Sequence, residues 1–125
     1  MNIYIYLLFL IHRLSNKSIQ QVIDVTRKNK MNKENIKLFV RGYRVINKIS
    51  KTPFLYKKYN LKCLRKALVL FYFSKKCGIK TTLKIGMHHY GRFLSGHAWV
   101  ECEGKPFGDT SDMSRYKCIL SEDNI

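Results

Sequence analysis

Apolar positions in the first half of the chain recur every three or four residues, the spacing of one face of an α-helix. Ser18 and Gln21 match a capping box, and the helix that follows them ends among cations. A longer helix is predicted over 33–50, where Gly42 indicates a close helix crossing, because glycine costs about 1 kcal/mol relative to alanine inside a helix. The apolar run at 3–13 fits a short buried helix or a strand equally well.

The clearest predicted helix begins after Asn60, a good N-cap, and ends at Gly78 behind two lysines and a cysteine. Its apolar residues cover most of the helix circumference, so it should be the central helix of the domain. Pro53 prevents the preceding helix from continuing, and residues 52–58 are therefore predicted to form a connector.

Beyond Gly78 the apolar period changes from helical spacing to alternation, which predicts strands. These strands are expected at 79–86, 96–102, 105–107 and 116–120. A loop is predicted at 87–95 and contains His88–His89. Glu103–Gly104 has the pattern of a hairpin turn, and Pro106 restricts the strand after it to a sheet edge.

These patterns predict an α+β fold in which helices come first and a small antiparallel sheet follows. The central helix should pack on that sheet within a core at 59–125. The helical part at 1–58 either belongs to the same compact unit or forms a small subdomain. A chain of 125 residues suits one compact domain.

Charge is unevenly distributed along the chain. It has 24 Lys and Arg against 8 acids, a formal net charge of +16, and the excess lies mostly in residues 1–62, whose only acids are Asp24 and Glu34. Such a surface favours nucleic acid, an anionic membrane, or an acidic peptide or protein, unless the lysines merely solvate helix faces. The run at 3–13 is shorter than the ~20 apolar residues that cross a bilayer, but peripheral contact with a membrane stays open.

The four cysteines do not form a Cys-x-x-Cys pair, so neither a zinc site nor a thioredoxin-type motif is indicated. The N terminus lacks the basic segment and small-residue cleavage site of a secretory signal. We therefore expect a cytoplasmic protein with reduced thiols and with no cofactor or metal. Cys77, Cys102 and Cys118 are interpreted as structural residues.

Cys63 has a different setting, because it lies in the first turn of the predicted central helix. The N–H groups and dipole at a helix N-terminus favour a thiolate, and Lys62, Arg65 and Lys66 act in the same direction. The same N–H groups are suited to form an oxyanion hole. The alternative is that Cys63 is a small buried hydrophobic residue, as most free cysteines are.

His97 and Trp99 fall on one face of a predicted strand, which would hold an imidazole rigidly against the helix. Asp109 follows a hairpin turn, where a carboxylate can accept a hydrogen bond from the imidazole and stabilise its charged form. Taken separately, His97 also suits a core histidine and Asp109 a turn residue. With Cys63 they supply the nucleophile, base and orienting acid of a thiol acyl-transfer enzyme.

Several motifs occur in order between residue 60 and about residue 120. They are Cys-Leu-Arg-Lys-Ala-Leu at 63–68, Gly78 at the end of that helix, His-Ala-Trp-Val-Glu at 97–101, Gly104 and Asp109. This arrangement resembles the transglutaminase-like cysteine peptidases of lasso-peptide biosynthesis. Two positions depart from the family pattern, because Lys66 stands where arginine is usual and Ala67 where serine is usual. Neither change removes a proposed catalytic residue, but both would alter substrate contacts.

The resemblance implies a papain/transglutaminase-like core and assigns roles to three residues. Cys63 would be the nucleophile, His97 the general base and acid, and Asp109 the orienting carboxylate. Asp112 is the nearest competitor for the last role. The implied reaction is removal of the leader from a ribosomally made precursor peptide through an acyl-enzyme.

The resemblance also implies partners: a separate leader-recognition protein that presents the precursor, and a macrolactam synthetase that takes the freed core. The chain shows no added recognition domain, so this split arrangement is expected. No nucleic-acid partner is expected in this interpretation. We hypothesise that the basic first half meets an acidic leader or partner through Lys37, Arg41, Arg44 and Lys48.

Two alternatives remain open at this point. A transglutaminase-type acyltransferase uses the same three residues, but an amine rather than water resolves its acyl-enzyme. A basic, non-enzymatic module for nucleic acid or membrane is favoured by the net charge and by the interleaved Tyr and Lys residues at 56–59. Binding by such a module would show steep salt dependence and would not depend on Cys63.

Overall fold

The computed structural model describes residues 2–108 and 113–125. The helices are α1 (Ile3–Leu14), α2 (Ile19–Lys28), α3 (Ile36–Ser50), α4 (Pro53–Tyr59) and α5 (Cys63–Lys76). The strands are β1 (Thr82–Tyr90), β2 (Phe93–Cys102), β3 (Lys105–Pro106) and β4 (Lys117–Asp123), and a 3-10 turn at Met113–Arg115 precedes β4. The strands form one antiparallel sheet in the order β3-β2-β1-β4. The predicted α+β fold class is therefore confirmed.

The first apolar run, whose pattern fitted a helix or a strand, is the helix α1. Its buried residues recur at helical spacing and are Leu7, Leu10, Ile11 and Leu14. Asn2 caps its first turn, since the Asn2 side chain accepts a hydrogen bond from the N–H of Tyr4 at 2.7 Å. Among the described helices, none is long and apolar enough to cross a membrane.

The predicted capping box begins α2 and is confirmed in both directions. Gln21 N–H donates to Ser18 Oγ at 3.2 Å, and Ser18 N–H donates to Gln21 Oε1 at 2.8 Å. α3 begins later than predicted, at Ile36, because the side chain of Asn35 accepts from the N–H of Leu38 at 3.1 Å and caps the helix there.

Gly42 lies where α3 crosses α5, as its position inside a helix predicted. A Cβ added at Gly42 would come within 2.7 Å of Cζ of Phe73, a ring that is almost fully buried. Only a residue without a side chain allows the two helices to approach this closely. The crossing matters for the site described below, because α3 and α5 both line it.

The connector predicted at 52–58 is wrong, because α4 occupies it. Pro53 is the first residue of this helix, a position where its missing N–H has no intrahelical partner to lose. Asn60 does not cap α5 as predicted. It has a left-handed backbone with φ 52° and terminates α4, so the N-cap of α5 is Lys62 and its first residue is Cys63.

The loop predicted at 87–95 is also wrong. β1 and β2 pair continuously from Thr82↔Glu101 to Tyr90↔Phe93, so His88 and His89 belong to β1. The alternation of side chains simply continues to a two-residue turn at Gly91–Arg92. The predicted turn at Glu103–Gly104 is confirmed, with φ values of 52° and 77°, and β3 lies at the sheet edge as Pro106 indicated.

One hydrophobic cluster joins the helices to the sheet. α5 packs against β1 and β2, and the buried side chains of Leu83, Ala98 and Val100 belong to the same cluster as those of α1, α2, α3 and α5. Burial of so much apolar surface in one cluster is the main stabilising term of such a domain. The boundary between 1–58 and 59–125 stays a prediction.

A buried polar network anchors the end of β4 to α5. The side chain of Asn124, which has no exposed surface, donates to the carbonyl of Ile79 at 2.8 Å and to Ser74 Oγ at 3.0 Å, and accepts from the N–H of Thr81 at 3.2 Å. Lys75 Nζ donates to the Asn124 carbonyl at 2.6 Å. Burial, followed by the nearby Arg27, lowers the pKa of Lys75.

Candidate active site

Cys63 is the first residue of α5, and its side chain is exposed. This excludes the alternative in which it is a buried hydrophobic residue. The segment before it is anchored by Leu61, which is buried and whose N–H donates to the carbonyl of Tyr56 at 3.2 Å. No side chain caps the helix at Lys62, so the N–H groups of the first turn have no side-chain acceptor at that position. The helix therefore presents its positive end beside the thiol.

A cleft of about 260 Å³ opens beside this thiol. Its walls come from α3, α5, β2 and the segment after β3, and its lining residues are Tyr43, Ile46, Cys63, Lys66, Ala67, Leu70, His97, Ala98, Trp99, Val100, Phe107 and Gly108. The structure thus brings Cys63 and His97, predicted from separate motifs, to one cleft.

The cleft lies at an edge of β2, because it is lined by the four successive residues 97–100. Successive side chains of a strand point to opposite faces, so a single cleft reaches all four only beside the edge of the strand. Within the described residues, β3 pairs with β2 at Glu101 and Cys102, and the N–H of Phe107 donates to the carbonyl of Val100 at 2.7 Å. The cleft opens next to the part of β2 that precedes this pairing, within reach of the main chain.

The imidazole of His97 packs against two aromatic rings, whose own centroids lie 6.3 Å apart. It stacks on Trp99 with centroids 5.8 Å apart and planes 21° apart, which agrees with the prediction that both share one face of a strand. The ring of Tyr116 lies 5.5 Å away at 30°. These ring contacts fix the orientation of the imidazole beside the cleft.

A hydrogen bond to Glu101 holds the indole of Trp99 in place. The indole N–H donates to Glu101 Oε2 at 3.0 Å, and the other oxygen of that carboxylate lies 3.7 Å from Lys84 Nζ. The indole stacks on His97 and also lines the cleft. Glu101 therefore positions a wall of the cleft, a role that the His-Ala-Trp-Val-Glu motif did not specify.

Tyr43 connects α3 to the segment that precedes the predicted acid. Its hydroxyl donates to the Gly108 carbonyl at 2.7 Å, and its ring packs edge-on against Phe107 with centroids 5.1 Å apart. Asp109 and Asp112, the candidates for the orienting carboxylate, lie outside the described residues. The helical spacing of Tyr43 in the sequence indicates only an apolar helix face, because its hydrogen-bond partner is 65 residues away.

The comparison with protein families agrees with this geometry. The profile described as the transglutaminase-like superfamily matches residues 10–121. The chain belongs to the transglutaminase-like superfamily. Searches of curated proteins and of solved structures gave no match. The superfamily match begins in α1 and ends in β4, so it also covers most of the helical part that precedes Cys63.

Transglutaminase-like enzymes are typically cysteine proteases or acyltransferases. The other three cysteines of this chain have surroundings that differ from those of Cys63. Cys77 is fully buried, and burial raises the pKa of its thiol to about 12. Burial and then the charge of Glu103 raise the pKa of Cys102. Cys118 is exposed on β4 rather than packed in the core. All four are free thiols, and no cluster of metal-binding side chains occurs in the described ranges.

Proposed function

We propose that this protein is a cysteine peptidase that removes the leader from a ribosomally made precursor peptide, as in lasso-peptide maturation. The observation that supports it most is the meeting of Cys63 and His97 in one cleft of a transglutaminase-like domain. The cleft is open, mostly apolar in its lining and bounded by a strand edge, which suits an extended peptide. We place the activity in the cytoplasm, where free thiols stay reduced.

In the proposed mechanism the Cys63 thiolate attacks the carbonyl carbon at the junction of leader and core. Negative charge develops on the carbonyl oxygen, where N–H groups of the first turn of α5 are suited to stabilise it. The C–N bond breaks as the imidazolium of His97 gives its proton to the leaving amine of the core. The leader remains as a thioester on Cys63 Sγ.

Hydrolysis of the thioester completes the proposed cycle. His97, now neutral, takes a proton from water as the water oxygen attacks the thioester carbonyl. The leader leaves with a new carboxylate, and Cys63 and His97 return to their starting states. Asp109 is proposed to orient the imidazole and stabilise its charged form, with Asp112 as the alternative.

The proposal includes two protein partners that the resemblance implies. A separate leader-recognition protein would present the precursor, and a macrolactam synthetase would act on the freed core. The synthetase requires a free core amine, which the first half of the mechanism above releases.

The test is intact-mass spectrometry of a candidate precursor incubated with this protein and its recognition partner. Wild type is compared with Cys63→Ala, and with Cys118→Ala as the control for loss of another exposed thiol. A single cut at the leader–core junction is expected with wild type and Cys118→Ala and is expected to disappear with Cys63→Ala. Equal cutting by all three would contradict the assignment of the nucleophile.

Product mass also separates hydrolysis from acyl transfer. A peptidase adds the mass of one water across the two fragments, whereas an acyltransferase leaves the leader joined to an amine. A leader recovered as an amide, and not as an acid, would replace the peptidase proposal with the acyl-transfer alternative.

A further inference from the structure

Many of the cationic residues of the chain lie in one long stretch that contains no acidic residue. Between Glu34 and Glu101 the sequence contains no Asp or Glu, and every formally charged residue in that stretch is Lys or Arg. This stretch comprises α3, α4, α5, β1 and most of β2. A surface of one sign with so few local counter-charges attracts an oppositely charged partner.

α3 arranges four of these cations in one line, which we call the basic stripe: Lys37, Arg41, Arg44 and Lys48. Their spacing places them on one side of the helix, about 16 Å from end to end. All four are exposed, and in the ranges that the structure describes none of them pairs with a carboxylate. An extended peptide of about five residues spans this length.

The same helix forms part of the cleft that holds Cys63. Tyr43 and Ile46 of α3 line that cleft, and the basic stripe lies on another side of the same helix. Tyr43 precedes Arg44 in the chain and lies only about 100° from it around the helix. A chain lying on the basic stripe therefore reaches the cleft by crossing the flank of one helix.

We propose that the basic stripe docks an acidic segment of the peptide substrate while its scissile bond lies in the cleft. This inference rests on the proposed function and adds the chemistry of the leader that the enzyme selects. Nucleic acid is the poorer fit, because α3 exposes no aromatic side chain on which bases stack. A membrane is also a poorer fit, since Ile36 is the one large apolar residue that α3 exposes.

The first experiment measures fluorescence anisotropy of a labelled oligoglutamate peptide, with the oligoglutamine peptide as the neutral probe. Wild type is compared with a variant in which the four residues of the basic stripe are replaced by Glu. The matched control replaces four other exposed lysines by Glu and so makes the same change in net charge: Lys28, Lys30, Lys80 and Lys117. A variant with Gln at the basic stripe serves if charge reversal prevents folding, which circular dichroism checks.

Reversal of the basic stripe should weaken binding of oligoglutamate by at least about tenfold, since four exposed ion pairs are lost and four repulsions added. The control should change binding by only about twofold, and oligoglutamine should bind to none of the variants. Equal weakening by both reversals would show that net charge alone acts and would overturn the proposal. So would stripe-dependent binding of a single-stranded oligonucleotide or of anionic vesicles in preference to oligoglutamate.

Cleavage of a precursor with an acidic leader separates this inference from the proposed function. The Gln variant of the basic stripe should raise KM with little change in kcat, because docking contacts act equally on ground and transition states. If wild type cuts the precursor and the variant has an unchanged KM, docking on the basic stripe is refuted and the peptidase proposal is not. Absence of cutting by wild type, with stripe-dependent binding of oligoglutamate intact, would refute the peptidase and leave an acid-binding surface.

Discussion

Replacement of Gly42 by alanine tests how closely the two helices that form the cleft pack together. The added Cβ would lie within 2.7 Å of Cζ and 3.0 Å of Cδ2 of Phe73, closer than carbon atoms approach without a shift. Phe73 is 2% exposed, and its ring lies 6.4 Å from that of Phe39 and 6.2 Å from that of Tyr6. The ring therefore has little room to move away.

Two opposing terms set the expected magnitude. Alanine has a higher helix propensity than glycine, which stabilises α3 by about 1 kcal/mol. Insertion of a methyl group into a packed contact costs about 1–3 kcal/mol, and the upper part of that range applies where the neighbour is confined, as Phe73 is. We expect Gly42→Ala to lower the free energy of unfolding by about 1–2 kcal/mol.

Urea denaturation followed by circular dichroism measures this change, with the m-value as a check that unfolding stays two-state. The double variant Gly42→Ala/Phe73→Leu is the control, because leucine vacates the space that the new methyl group needs. With leucine at position 73, Gly42→Ala should lower the free energy of unfolding by less than it does with phenylalanine there. The coupling energy in the double-mutant cycle should be about 1 kcal/mol or more. Stabilisation by Gly42→Ala, with no coupling to position 73, would refute the close crossing.

Further predictions concern three buried or hydrogen-bonded residues, Cys77, Asn124 and Glu101. Ellman's reagent should modify Cys63 in the native protein but Cys77 only after denaturation, because burial raises the Cys77 pKa to about 12. Above the reference pKa of 9.0 the unfolded Cys77 thiol ionises first, so its contribution to stability should fall as pH rises, which urea titrations across that range measure. Asn124→Ala should cost about 2–4 kcal/mol in urea denaturation, because three buried partners lose their hydrogen bonds. Glu101→Leu should lower kcat/KM for the precursor by about tenfold by releasing the Trp99 indole, while Glu101→Gln, which still accepts from it, should retain activity in the same assay.

Local signals in the sequence were sufficient for much of the fold. The capping box of Ser18 and Gln21, the crossing glycine at 42 and the turn at Glu103–Gly104 each depend on residues close in sequence or on one backbone preference. The errors at α4 and Asn60 have one origin. Proline is found both after the end of a helix and in its first turn, and asparagine caps either end of a helix. The residue type at these two positions therefore fits a helix end and a helix start equally well.

The candidate site shows the same division between local and distant contacts. Cys63 and His97 could be predicted because each lies in a motif of consecutive residues. The structure places both side chains in one cleft. Tyr116 against the His97 ring and Tyr43 on the Gly108 carbonyl join segments far apart in sequence, and one sequence carries no local sign of either contact. The role of Asp109 stays a prediction.

Site-resolved alkylation tests the central claim, that His97 activates Cys63, without knowledge of the substrate. Peptide mapping by mass spectrometry follows the reaction of iodoacetamide with Cys63 and with Cys118, which is also exposed and serves as an internal reference. We predict that near neutral pH Cys63 reacts at least about tenfold faster than Cys118, and that His97→Ala removes this difference. Equal rates at the two cysteines, unchanged by His97→Ala, would contradict the account.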